Sequence, residues 1–218
     1  MPQLRRPRPF RTANREPPCR SASGSGTILL VTSALAPGFL VAAPALRDPS
    51  FVRTVILVVE HGENGSLGFI VNRPSPVRFS EVATALGMDM ADSTKVPVFV
   101  GGPVSPQSGW VLFDPRDVGQ DHLDDAIVIS ESLAVSASRK LLSAIASAGR
   151  SRRQALALGY SGWSTGQLDE EFRRGVWLPA PIDPAVVFET EPENRWERVL
   201  RDLGIEPGRI VNPARDLN

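Results

Sequence analysis

Cysteine and histidine are almost missing from this chain, which has one Cys, at position 19, and two His, at positions 61 and 122, among 218 residues. A lone thiol excludes an intrachain disulfide framework and a cysteine metal cluster, so a cytoplasmic location is the expectation. Long apolar runs are lacking as well. Pro37, Gly38 and Pro44 interrupt the one window that could be weighed as a membrane span, and Arg47 and Asp48 end it. No membrane partner is therefore expected. The start of the chain imitates a secretory signal, with arginines, then Ile28 to Val31, then Ala34, Leu35 and Ala36. The uninterrupted apolar run is too short for that role, and Pro37 would stand directly after the cleavage site.

Net charge is absent too, with 24 basic against 24 acidic side chains, but the balance is local. Six of the basic groups (Arg5, Arg6, Arg8, Arg11, Arg15, Arg20) and one acidic group (Glu16) lie in residues 1–26, which leaves 18 against 23 in residues 27–218. Prolines 2, 7, 9, 17 and 18 forbid an amphipathic targeting helix in the first segment. The expected organisation is a disordered Arg-, Pro- and Ser-rich tail, 1–26, and a single domain, 27–218. Direct nucleic-acid binding is not expected of an acidic domain with no helix-turn-helix, basic region or zinc module.

What the sequence does contain is a succession of hairpins and short helices. Asp48 and Pro49 read as a turn, Arg53 to Val59 (RTVILVV) as a β-branched strand, Glu60 to Gly65 as a hairpin turn, and Leu67 to Val71 as the returning strand. Ser80 is placed to cap a helix through Leu86 with Gly87 as its stop. Val96 to Val100, Trp110 to Phe113 and Ala126 to Ile129 read as strands, with a polar loop over residues 114–125. Ser132 is positioned to cap the longest helix, in which Leu133, Ala137, Leu141 and Ile145 recur before Gly149. Arg150 to Gln154 then lead to a buried strand over Ala155 to Leu158 and a glycine-rich turn. A helix with Leu168 and Phe172 follows and stops at Gly175. Asn194 with Glu197 caps a last helix, whose Trp196, Val199, Leu200 and Leu203 face one side before Gly204. This alternation predicts an α+β domain.

Four blocks occur in order: LVAAPALRDPSFVRTVILVVEH, GSLGFIVNRP, FVGGPV and GYSGWSTGQLDEEF, followed by Trp177. From about Ala36 to Leu203 the chain resembles the AlgH/YqgE family. The resemblance implies an α+β fold with a small β-barrel or bifurcated mixed sheet surrounded by helices. It also implies a bacterial cytoplasmic protein of undetermined biochemistry, from a family described as transcriptional regulators on genetic grounds. Ser161 stands where many relatives have alanine, Ser164 where glycine is frequent, and Asp169 where glutamate is usual.

No catalytic residue, metal site or cofactor is assigned from the sequence. Gly159 to Trp163 fails the GxSxG elbow because tryptophan fills its last position, and only His61 and His122 could serve Ser161 as a base. Asp114, Asp117, Asp121, His122, Asp124 and Asp125 match no calcium loop. Candidate ligand-binding residues are Asp48, Arg53, Asn72 and Arg73 near one end of the hairpin, where paired arginines suit a carboxylate or phosphate. Gly101 and Gly102, with Tyr160, Gly162, Trp163 and Gln167, complete the set as possible backbone cradle and pocket lining. Each also has a structural use, in turn capping, ion pairing, close packing or a capping box of Ser164 and Gln167. Two functions follow: a regulator working through an unknown protein or small-molecule partner, or a binding module or enzyme for a phosphorylated or carboxylated metabolite. Oligomeric state is not legible.

Overall fold

A computed structural model describes residues 35–91, 94–148 and 153–206. The arginine-rich segment 1–26 with Cys19, the expected stop Gly149 and the lead Arg150 to Arg152 lie outside the described residues.

Among the described residues nine strands form one sheet: β1 Gly38–Ala42, β2 Val55–Gly62, β3 Gly65–Ile70, β4 Val98–Val100, β5 Val104–Phe113, β6 Ala126–Ser130, β7 Leu133–Ser136, β8 Gln154–Trp163 and β9 Trp177–Ala180. Five α-helices among the described residues accompany them: α1 Phe79–Ala85, α2 Arg139–Ala148, α3 Gln167–Arg173, α4 Pro184–Phe188 and α5 Pro192–Asp202. The architecture is mixed α+β. Strand order is β6-β7-β5-β8-β3-β2-β1-β9, antiparallel along this path, with β4 joined to β8 in parallel. Among the described residues the sheet ends at β6 on one side and β9 on the other and is not closed into a barrel.

Strand β8 organises the sheet because it has three neighbours. Its Ala157 is opposite Trp110 of β5 on one edge and Phe99 of β4 on the other. Further along, Ser161 to Trp163 pair with Gly68 to Ser66 of β3, so β4 gives way to β3 and the sheet forks there. The fork is crowded. A Cβ on Gly101 would lie 2.4 Å from the Gly159 carbonyl oxygen, and one on Gly102 only 2.2 Å from the carbonyl carbon of Tyr160. Only glycine admits such an approach of two backbones.

Alternation along the strands divides the core. Phe39, Val41, Val55 and Leu57 face α4 and α5, where Val186, Val187, Trp196, Val199 and Leu200 cover them. The residues between, Leu40, Ala42, Ile56 and Val58, face the other side with Trp163, Trp177 and Leu168 of α3. On the β5 and β7 half of that second side, Val111, Phe113, Ala134 and Leu156 pack on Leu141, Leu142 and Ile145 of α2. Both faces are thus covered, which is why β1 and β2 read as continuous apolar runs instead of alternating.

Several boundaries differ from the sequence expectations. Leu133 to Ser136 form β7, and the helix starts only at Arg139. The stripe Leu133, Ala137, Leu141, Ile145 therefore bridges a strand and a helix. Ser130 Oγ accepts the Ser132 N–H within the β6–β7 turn, so Ser132 caps no helix. Arg78, not Ser80, precedes α1, with the Arg78 N–H donating to Glu81 Oε2 at 2.7 Å. Glu191 precedes α5, and Asn194 lies inside it. Glu60 and His61 belong to β2, and Tyr160 to Trp163 belong to β8, leaving Ser164 to Gly166 as the turn into α3. The short β9 and α4 were not anticipated.

Candidate functional site

At the β2 entrance the polar candidates meet each other. Asp48 Oδ1 accepts the Ser50 N–H at 2.7 Å, closing the turn expected there. Arg53 follows that turn in the left-handed region, at φ 55°. Asn72 spans the backbone around it, accepting the Val55 N–H at Oδ1 and donating from Nδ2 to the Arg53 carbonyl, both at 2.8 Å. Arg73 donates to the carbonyls of Ser50, at 2.8 Å, and Pro49, at 3.3 Å. The Arg53 guanidinium pairs with Glu197 at 2.6 Å and stacks 4.7 Å from the Trp196 ring centroid. Asp48, Arg53, Asn72 and Arg73 are thus brought together, and each is engaged by the protein itself.

The glycine-rich candidates lie elsewhere. Leu67 is opposite Gly162 and Ser66 opposite Trp163, whereas Asn72 and Arg73 follow the far end of β3. With about 3.3 Å of rise per residue, the arginines and the Gly162 to Gly166 amides stand apart by roughly the length of that strand, about 20 Å. Gly101 and Gly102 lie between, in the fork. Tyr160 is partly exposed and meets Trp110 edge to face at 6.5 Å.

The signature turn is held by a residue the sequence reading passed over. One carboxylate oxygen of Glu171 accepts both the Trp163 indole N–H, at 2.9 Å, and the Trp177 indole N–H, at 2.8 Å. The other oxygen accepts from Gln167 Nε2 at 3.0 Å. Gln167 in turn accepts the Ser164 N–H at 3.1 Å, so half of the expected capping box forms, although the helix begins at Gln167. The two indoles meet edge to face at 6.2 Å. The available signal was spacing: Gln167 and Glu171 are one helical turn apart, between two tryptophans.

Serine and histidine chemistry is also relocated. Ser161 is buried, with Oγ 3.4 Å from the Gly101 carbonyl and no imidazole beside it. His61 instead faces Ser66 across the hairpin, its Nδ1 2.8 Å from Ser66 Oγ, and approaches Asp169 of α3 at 3.4 Å through Nε2. In the acidic loop, Asp114 is the buried member. It accepts from Arg116 at Nε (2.9 Å), Nη2 (2.6 Å) and the backbone N–H (3.0 Å), and from Arg153 Nη1 at 3.3 Å. The Arg116 hydrogen bonds hold its carboxyl at about 2 against the opposing effect of burial. Among the described residues no group of three or more His, Cys, Asp or Glu side chains could hold a metal ion. No helix there is long and apolar enough to cross a membrane.

An open, forked α+β sheet with a tryptophan-anchored turn leading into a short helix defines the structural class. Residues 39–208 match a family model described as AlgH-like, and the chain belongs to that family. It is similar to a UPF0301 protein of Anaeromyxobacter sp. strain Fw109-5, at 43% identity over 186 residues, covering 82% of this chain and 93% of the relative. A UPF0301 protein of Methylococcus capsulatus is 41% identical over 182 residues, covering 83% and 95%. Among solved structures, the solution structure of the AlgH protein from Pseudomonas aeruginosa superposes with a TM-score of 0.67 at 34% identity, covering 85% of this chain and 94% of that one.

Proposed function

We propose that the chain is a cytoplasmic regulator that acts through protein contacts, made along the outer edge of β6. The carrying observation is the contrast between the two ends of the sheet. Strand β9 is a poor template, four residues long with Pro179 inside it. Strand β6, AIVIS, has no charged side chain and no proline, and among the described residues it pairs only with β7 and presents Val128 at 57% exposure, the largest value among their exposed large hydrophobics. An edge of this kind accepts an added strand over Ala126 to Val128, ahead of the shift in the β6–β7 register between Val128 and Ser130. Asp124 and Asp125 precede β6 and Glu131 follows it. The fitting occupant is therefore an extended partner segment with an apolar middle and basic ends.

The alternative of a metabolite site built on Arg53 and Arg73 draws less support, because both guanidinium groups already serve Glu197 and backbone carbonyls. A photocrosslinking residue at position 128, introduced in the native host, tests the proposal. The expected adduct is a second protein whose purified form binds the unaltered chain and loses affinity at least about tenfold with Val128→Lys. Absence of an adduct, an adduct with another copy of this chain, or equal binding by the Lys variant would reject it.

A further inference from the structure

Ser66, His61 and Asp169 form a hydroxyl, imidazole and carboxylate line that neither the turn at Arg53 nor the β6 edge uses. The β2–β3 register places His61 directly opposite Ser66, so the two side chains share a face of the sheet. His61 Nδ1 and Ser66 Oγ are 2.8 Å apart, within the reach required of a base and its nucleophile. On the other side of the ring, Asp169 Oδ1 stands 3.4 Å from Nε2. That oxygen is buried and has no hydrogen-bond partner, while the His61 side chain is only 7% exposed.

These two observations fix the chemistry. At 3.4 Å the Asp169 carboxylate approaches Nε2 without accepting a hydrogen bond from it, and its negative charge favours the imidazole proton on Nε2. Nδ1 is then left with its lone pair directed at the Ser66 hydroxyl. Nucleophile, base and orienting acid stand in the roles of a serine triad, with the two ring nitrogens exchanged relative to the protease arrangement. The parts are pinned from both sides, since Thr165 Oγ1, just ahead of α3, donates to the Glu63 carbonyl in the hairpin turn at 2.9 Å. Ser66 itself is half-buried, beside the exposed turn residues Gly62 to Asn64.

We infer that Ser66 is an activated nucleophile that takes an acyl group from an activated carboxylic ester. Ser66 Oγ bonds to the ester carbonyl carbon as its proton passes to His61 Nδ1. The ester C–O bond breaks, and the departing alkoxide takes the proton from Nδ1, leaving O-acyl-Ser66 and an alcohol. Asp169 stabilises the imidazolium that exists between the two transfers. Water repeats the sequence, giving its proton to Nδ1 and releasing the carboxylic acid with Ser66 restored. This function goes beyond contact with a partner protein and lies on the β2–β3 hairpin, inside the strand order and away from the β6 edge.

The test uses the purified full chain and p-nitrophenyl acetate. The expected result is a burst of p-nitrophenolate with an acetyl group on Ser66, located by peptide mass spectrometry. Ser66→Ala should abolish that burst, and Asp169→Asn or His61→Gln should slow it about 100-fold or more. Asp169→Glu should restore it, which a merely structural pairing would not require. Circular dichroism reports whether each variant is folded. The unaltered chain decides without any variant: acetylation confined to amines or to other serines overturns the inference. A Ser66 rate that is unchanged in a folded Asp169→Asn or His61→Gln variant overturns it as well.

Discussion

Asn72 holds Arg53 in its left-handed conformation by bonding to the backbone on both sides of the turn, at the Arg53 carbonyl and the Val55 N–H. A side chain with one donor and one acceptor is needed there. Aspartate lacks the donor, and a longer amide would not fit the same span. This explains the asparagine of the NRP block as a structural part of the β2 entrance, next to Arg73 clasping the Pro49 and Ser50 carbonyls.

Asn72→Ala is expected to destabilise the fold by about 1–3 kcal/mol, because Val55 is buried and its N–H would be left without a partner. Asn72→Asp should fall between the alanine variant and the parent. Urea midpoints at constant slope measure both. A midpoint unchanged in the alanine variant would remove the clamp from the account.

Glu171→Ala should cost about 2–4 kcal/mol, since it strips the acceptor from two indole N–H groups at once. Glu171→Gln retains one acceptor oxygen and should cost less. Tryptophan fluorescence follows the same variants directly, because both affected rings are buried. Equal losses for Ala and Gln would mean that packing, not hydrogen bonding, holds the pair.

How much of this was readable beforehand depends on the range of the interaction. The β2–β3 hairpin was legible because β-branched residues flank a turn of glycine and polar residues, a local signal. The helix expected over Leu133 to Ile145 was half wrong because a spacing of four residues continued by chance from β7 into α2. Both faces of β7 are buried, so no alternation marked it as a strand. The glycines at 101 and 102 were visible, but the Gly159 and Tyr160 backbone lying against them is a pairing across some sixty residues. In the same way the sequence offered Ser161 as the serine to test, while the register of β2 on β3 places the imidazole beside Ser66. Engagement of both candidate arginines by partners of their own chain is likewise a tertiary fact.

Gly102→Ala should be among the most damaging single changes, at about 3 kcal/mol or more, since the new methyl would overlap the Tyr160 carbonyl group and backbone cannot step aside as a flexible side chain can. Gly62→Ala is the matched control, with nothing within 4 Å of the added carbon. It should stay within about 0.5 kcal/mol of the parent. Comparable losses at both positions would show that chain flexibility, not the close approach at the fork, governs these sites.

Acid stability should carry the signature of Asp114. Its carboxyl is lowered from 3.8 to about 2, chiefly by the Arg116 hydrogen bonds, with Arg153 adding to them. A depressed carboxyl pKa means that the unfolded chain binds the proton more readily. The contribution is therefore complete above the unfolded value and disappears as pH falls through the folded one. The window runs from about pH 4 to about pH 2. A difference of this size corresponds to on the order of 2 kcal/mol. Asp114→Asn should be less stable than the parent at neutral pH by about that amount, and the gap should close toward pH 2. Glu81 and Asp121 are lowered as well, by Arg78 and Lys140, but both pairs are exposed and screened, so the variant should remove most of the acid dependence in this window. Urea midpoints at a series of pH values decide it. A gap between parent and variant that stays constant down to pH 2 would show that Asp114 acts through packing and neutral hydrogen bonds, not through its charge.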